Sequence, residues 1–253
     1  MKTFWKLFII LLLASILGAA AITPYTLTLQ GLWQDLPVPF YVFLLGTVIQ
    51  NAVIFAVFIF LGLKIAKKVG LGLPILEDYL EGREVKSKLK SIMGISVGLG
   101  LLAGVLIIGF DYLFSLSGVA ISLLEPSISP PAWQGFLASF YGGINEEITL
   151  RLFFMSLVVW IIYKIKSTPE GKPTPTGVWL AIIISAVLFG LGHLPVTSSL
   201  TALTPLVVLR AVILNGIGGV IFGWLYWKKG LESAMISHFS ADIVLHVVLP
   251  LLI

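Results

Sequence analysis

A chain of 253 residues is long enough for one or two soluble domains, but 58% of its residues are hydrophobic and only 11% are charged, against about 25% charged in a typical soluble domain. The mean hydropathy of +1.06 and several apolar runs of roughly 20 residues predict an all-α, polytopic transmembrane helical bundle. Cysteine is absent, which excludes disulfides, thiolate metal sites and a cysteine nucleophile. The net charge of +4 comes from basic residues clustered where apolar runs end, a membrane pattern rather than a nucleic-acid-binding surface.

Residues 4 to 23 form the first apolar run, bounded by Lys2 and by Thr23-Pro24. Lys6 and the small residues Gly18-Ala19-Ala20-Ala21 also fit a cleavable signal peptide, but a retained helix is the expected reading. A second span is predicted over 38–63, followed by a connection crowded with Lys64, Lys67, Lys68, Arg83, Lys86, Lys88 and Lys90. Within it, residues 74–81 suit a short amphipathic surface helix. The third span covers about 92–116, and the connection 117–132, with Ser127-Ile128-Ser129-Pro130-Pro131, carries no basic residue.

A fourth apolar stretch runs over 133–163 and is followed by Lys164, Lys166 and Lys172. The fifth span is expected over 177–193, then a basic-free loop over 196–205, a sixth span over 206–227 ending in Lys228-Lys229, and a seventh over 231–253. Basic and basic-free connections thus alternate across seven spans, which places the N-terminus inside and the C-terminus outside by the positive-inside rule. The chain reads as a single transmembrane domain over 1–253, without internal repeats, its motifs confined to about 133–253.

Charge inside such spans is costly, roughly 2.5 to 3.5 kcal/mol per ionisable residue near a span centre. Yet the fourth stretch contains Glu146, Glu147 and Arg151. On an α-helix, Glu147 and Arg151 are an i, i+4 pair able to neutralise each other, while Glu146 points about 100° away and stays free. The fifth span carries Phe189 and His193 at helical spacing, and the seventh carries His238 and Asp242. Either histidine alone is an ordinary interhelical hydrogen-bonder; their convergence with Glu146 on three spans points to a site. Asp111 and Arg210 read as interfacial side chains, and His246 as a hydrogen-bonder near the outer surface. Counting ~1.5 Å per residue from the expected cytoplasmic boundaries puts His238 about 13 Å deep but Glu146 and His193 about 25 Å deep, a gap the sequence leaves open.

These three ordered motifs resemble those of the CAAX protease and bacteriocin-processing (Abi, or CPBP) intramembrane endopeptidases, the family that includes the Ras-converting CAAX endopeptidase. Its pattern is EExxxR, FxxxH and HxxxN or HxxxD on successive helices. It is matched by Glu146, Glu147 and Arg151, by Phe189 and His193, and by His238 and Asp242, with a similar glycine-rich stretch over Gly218–Tyr226. Members acting on prenylated substrates tend to carry Asn where this chain has Asp242. The family is usually described with eight spans, so an eighth, re-entrant segment is the alternative to seven.

The resemblance implies peptide-bond hydrolysis, in a prokaryotic cell membrane, of a peptide or protein substrate at the bilayer. In that reading Glu146 and His193 hold and deprotonate a water, and His238 is the oxyanion donor, with Asp242 either orienting its ring by accepting from the other nitrogen or standing where the family's Asn would donate. Glu147 and Arg151 fix the helix, and Phe189 supports the site. No cofactor is required. The rival mechanism uses the same four residues, Glu146, His193, His238 and Asp242, as N/O ligands of a divalent metal such as zinc. Two other functions compete: a non-catalytic Abi-type membrane protein serving bacteriocin immunity or secretion, and a secondary transporter relaying protons through the same side chains.

Overall fold

The computed structural model describes residues 2–119, 123 and 130–253. Most of the connection expected over 117–132 therefore lies outside the described residues. Among those described, seven helices are long and apolar enough to cross a membrane: Thr3–Leu29, Phe40–Lys68, Lys86–Leu116, Ala132–Ile165, Pro175–Leu200, Pro205–Lys229 and Leu231–Leu252. In chain order the helical segments are α1 (Thr3–Leu29), α2 (Phe40–Lys68), α3 (Pro74–Leu80), α4 (Lys86–Leu116), α5 (Ala132–Phe140), α6 (Ser156–Ile165), α7 (Pro175–Gly192), α8 (Leu194–Leu200), α9 (Pro205–Lys229), α10 (Leu231–Asp242) and α11 (Leu249–Leu252). Helix is the expected answer to an apolar chain in lipid, because it satisfies each backbone amide within its own segment. The expected surface helix is α3, too short to cross.

Local chemistry sets the boundaries. Thr174 and Thr204 each precede a proline and accept, through Oγ1, from the amides of Gly177 (3.1 Å) and Val207 (3.3 Å), capping α7 and α9. Gly230, at φ +95°, turns the chain between α9 and α10; a side chain there would also overlap the ring of Pro74.

Four expectations change. First, α1 runs through Thr23-Pro24 to Leu29. The missing proline amide is tolerated inside a membrane helix, and Thr23 and Thr26 donate from their hydroxyls to the carbonyls of Ala19 and Ile22. Second, the basic-free segment after span five is not all loop, since α8 occupies Leu194–Leu200. Third, Asp111 and Arg210 are not interfacial side chains reaching for water. Both are buried, and they form an ion pair between α4 and α9, with Arg210 Nε 2.7 Å from Asp111 Oδ1. Two charges in a bundle interior cost less paired than apart. Asp111 Oδ2 also accepts from the amide of Leu123, at 2.7 Å.

Fourth, the fourth span is not one α-helix. Between α5 and α6 it is π-helical over Tyr141–Glu146 and Ile148–Met155. A wider turn is rare and is found most often at functional sites. Its i to i+5 spacing is visible at Ser156, whose backbone amide donates to the carbonyl of Arg151.

Helices approach one another through small residues, as membrane packing requires where lipid is as apolar as leucine. A Cβ on Gly190 would fall within 2.4 Å of Val212 Cα, which is why α7 and α9 lie so close. The main core cluster gathers at the lysine-rich ends of the spans. Ile59, Leu63, Leu152, Met155, Ile182, Leu225, Tyr226 and Leu231 are each at most 6% exposed. At the opposite ends, only two small clusters occur among the described residues, around Ile107, Leu214 and Leu245 and around Val119 and Val207.

Candidate active site

The π-helical stretch separates the two adjacent carboxylates by environment. Glu147 is fully buried and lies 3.1 Å from Arg151 Nη1, which is also fully buried. Arg151 Nη2 donates to the carbonyl of Gly219 at 3.3 Å, and its guanidinium lies 5.0 Å and 5.5 Å from the ring centroids of Phe189 and Phe222. Glu146 keeps 24% of its side chain exposed and lines a cavity of about 560 Å³. The division into one structural and one free carboxylate thus holds, although the helix geometry that produces it differs from the expected one.

His238 meets both. Its Nδ1–H donates to Glu147 Oε1 at 2.8 Å, and its Nε2 faces Glu146 Oε2 and Asp242 Oδ1, each at 3.6 Å. Phe222 stacks on the imidazole at 4.6 Å and Phe189 meets it edge-on at 5.5 Å. The ring is therefore fixed by Glu147 and two aromatic faces. The expectation that Asp242 orients His238 from the far nitrogen is corrected: Asp242 stands on the same side as Glu146, and Glu147 takes the orienting position. Gly142 permits this closeness, since a side chain there would overlap Asp242 Oδ2 and reach 3.2 Å from His238 Nε2.

The depth gap closes through the length of the fourth span. His238 is about two turns from the start of α10, whereas Glu146 is far from Ile165, yet their side chains are 3.6 Å apart. The lysine-rich end of the 34-residue fourth span therefore overhangs the beginning of the seventh.

His193 caps α7 and lines the same cavity. Its Nδ1–H donates to the carbonyl of Phe189 at 2.8 Å, leaving Nε2 as its acceptor. No direct bond joins it to Glu146 among the described residues. His246 behaves as expected, bonding across the bundle through Nδ1 to the hydroxyl of Tyr25 at 3.0 Å. Residues that the sequence left unassigned are Glu147 as the partner of His238, Phe222 as its stacking face, and Asn145, whose amide donates to the carbonyl of Ser15 at 2.9 Å. The Phe222 contact crosses between helices and leaves no periodic trace; the two adjacent glutamates were the one available signal for Glu147.

The metal reading requires Glu146, His193, His238 and Asp242 to converge as ligands. Among the described residues no group of three or more His, Asp or Glu side chains is arranged to hold a metal ion. As arranged, these four side chains do not form a metal-binding group.

Glu146 and His238 thus face each other on the wall of a cavity in a helical protein with seven helices long and apolar enough to cross a membrane. Residues 128–244 match the family model described as type II CAAX prenyl endopeptidase, Rce1-like. Over that segment the chain is similar to the CAAX-type proteases, and the resemblance read from its three motifs falls within it. No curated protein and no solved structure matches the chain.

Proposed function

We propose that this protein is an intramembrane endopeptidase in which Glu146 activates the hydrolytic water for attack on a membrane-associated peptide. The observation that carries this reading is the pairing of Glu146 Oε2 with His238 Nε2, 3.6 Å apart, on the wall of the cavity. Glu146 takes a proton from water as its oxygen adds to the scissile carbonyl carbon. It returns that proton to the departing amide nitrogen as the C–N bond breaks. His238, held at Nδ1 by Glu147, donates from a protonated Nε2 to the developing oxyanion. His193 Nε2 lines the same space and accepts from the water or the peptide amide. Asp242 narrows the niche beside Glu146 and stands where relatives of this type carry Asn.

The test uses purified Glu146→Gln and His193→Ala proteins with an unbiased peptide library, each with and without a chelator. Loss of cleavage in Glu146→Gln, with wild-type cleavage unaffected by chelation, is the expected result. Equal cleavage by wild type and Glu146→Gln would remove the endopeptidase reading, and chelator-sensitive wild-type cleavage would replace the glutamate mechanism with a metal one.

A further inference from the structure

We infer that the site is served from the extracytoplasmic side, and that its substrate is an extended peptide segment with apolar side chains presented at that surface. What the site does with the segment rests on the endopeptidase reading above; which side it opens to does not. Three observations support the inference.

Every lysine and arginine except Arg151 and Arg210 lies at one end of the spans or in the connections there, and those two exceptions are buried in ion pairs. Under the positive-inside rule the lysine-rich end is cytoplasmic.

The cavity draws on the other end of each span that lines it. It takes Leu29 and Gln30 from the finish of α1, Ile107 from late in α4, Leu200 from the end of α8, Leu214 from the first half of α9 and Pro250 from near the chain's end. Glu146 and His238 sit at its inner limit. Between it and a second cavity at the cytoplasmic end, of about 620 Å³ and lined by Leu63, Ala66, Ile92 and Tyr226, the bundle is filled by Ile148, Leu152, Met155 and Leu225, each at most 1% exposed. A peptide arriving from the cytoplasm would have to displace that core, whereas one arriving from outside meets an open, largely apolar channel.

The channel's chemistry names the kind of segment that fits. Among the described residues that line it Arg210 is the one lysine or arginine, and Asp111 already neutralises it, so outside the niche at Glu146 and His238 no lysine or arginine is free to meet an acidic side chain or a terminal carboxylate. The aliphatic wall favours apolar side chains, and the carboxylates of Glu146 and Asp242 are confined to the inner limit.

The native chain has no cysteine, so single cysteines report accessibility directly. Asn215→Cys inside the cavity, Gln30→Cys and Leu200→Cys near its mouth, and Lys172→Cys in a basic connection are treated in intact cells with a small membrane-impermeant thiol reagent. Expected is labelling of the first three at least tenfold faster than Lys172→Cys, which reacts only after lysis. Labelling of Asn215→Cys and Leu200→Cys only after lysis, or from neither side, overturns the inference. In a second arm, wild-type right-side-out vesicles are expected to cleave added library peptides while inside-out vesicles do not; the reverse result overturns it. The labelling arm is independent of catalysis, so equal cleavage by Glu146→Gln and wild type would remove the endopeptidase reading and leave the sidedness standing.

Discussion

Just inside the Glu147–Arg151 pair the bundle is closely packed around Leu152, Met155 and Leu225, whereas beyond that pair the same helices stand around a cavity of about 560 Å³; a separate cavity of about 620 Å³ lies at the lysine-rich end itself. The difference is one of side-chain supply. The inner half brings large aliphatic residues from six spans into contact, and dispersion between them is the main force available where lipid removes the hydrophobic drive. The outer half uses glycines, short polar residues and one buried ion pair, and leaves space. A stiff half holds polar groups in register beside a hollow half, and the proposed catalytic set lies on the boundary.

The comparison can be broken most directly at that boundary. Glu146→Gln is expected to lower peptide cleavage by about 10²- to 10⁴-fold with little change in thermal unfolding, because Glu146 faces the cavity and supports no packing. Arg151→Met, one turn into the solid half, is expected to cost about 3–5 kcal/mol, since it leaves Glu147 buried without its counter-charge. Thermal unfolding in detergent measures it. The double variant Glu147→Leu/Arg151→Met should recover much of that stability but not activity, because His238 loses the acceptor for Nδ1.

A matched pair of truncations sharpens the contrast. Leu152→Ala in the packed half should cost about 2–5 kcal/mol. Leu188→Ala, on the cavity wall, should cost about 1 kcal/mol or less, with a change in which peptides are cleaved. Gly142→Ala should reduce turnover by about 10- to 100-fold by displacing Asp242 and His238, with a smaller effect on unfolding.

The smallest expected effect is at the basic surface. Lys88 and Arg83 hold the Asp78 carboxyl below its ordinary range. Its contribution is therefore present above the unfolded value of about 3.9 and is lost as pH falls through the lower folded value. The difference in melting temperature between wild type and Asp78→Asn should shrink below about pH 4 and in high salt.

Span number, the alternation of connections and the four polar side chains of the site were legible because apolar run length and charge placement are properties of sequence alone. The pairing of Glu147 with His238 was not, because it joins the fourth and seventh spans and depends on their relative rotation. Nor was the π-helical turn. Pairing Glu147 with Arg151 on a helical face gives the same neutral pair whether the turn is α or π, so spacing alone could not tell them apart. Asp111 and Arg210 were misread for a similar reason: each lies near a span end, and only their position opposite one another makes them a buried pair.

The Asn145 to Ser15 hydrogen bond bears on what counts as the working unit. Asn145 directly precedes the two glutamates, and Gly18 lets its side chain press against α1. Leu231, the first residue of the His238 helix, donates to the carbonyl of Gly72, and Glu232 accepts from the amides of Ile75 and Leu76. Both arms of the proposed catalytic set are therefore fastened to the part of the chain that precedes residue 128. A fragment trimmed to the recognisable motifs would lose those fastenings, and removal of residues 1–23 would take Ser15 and Gly18 with it.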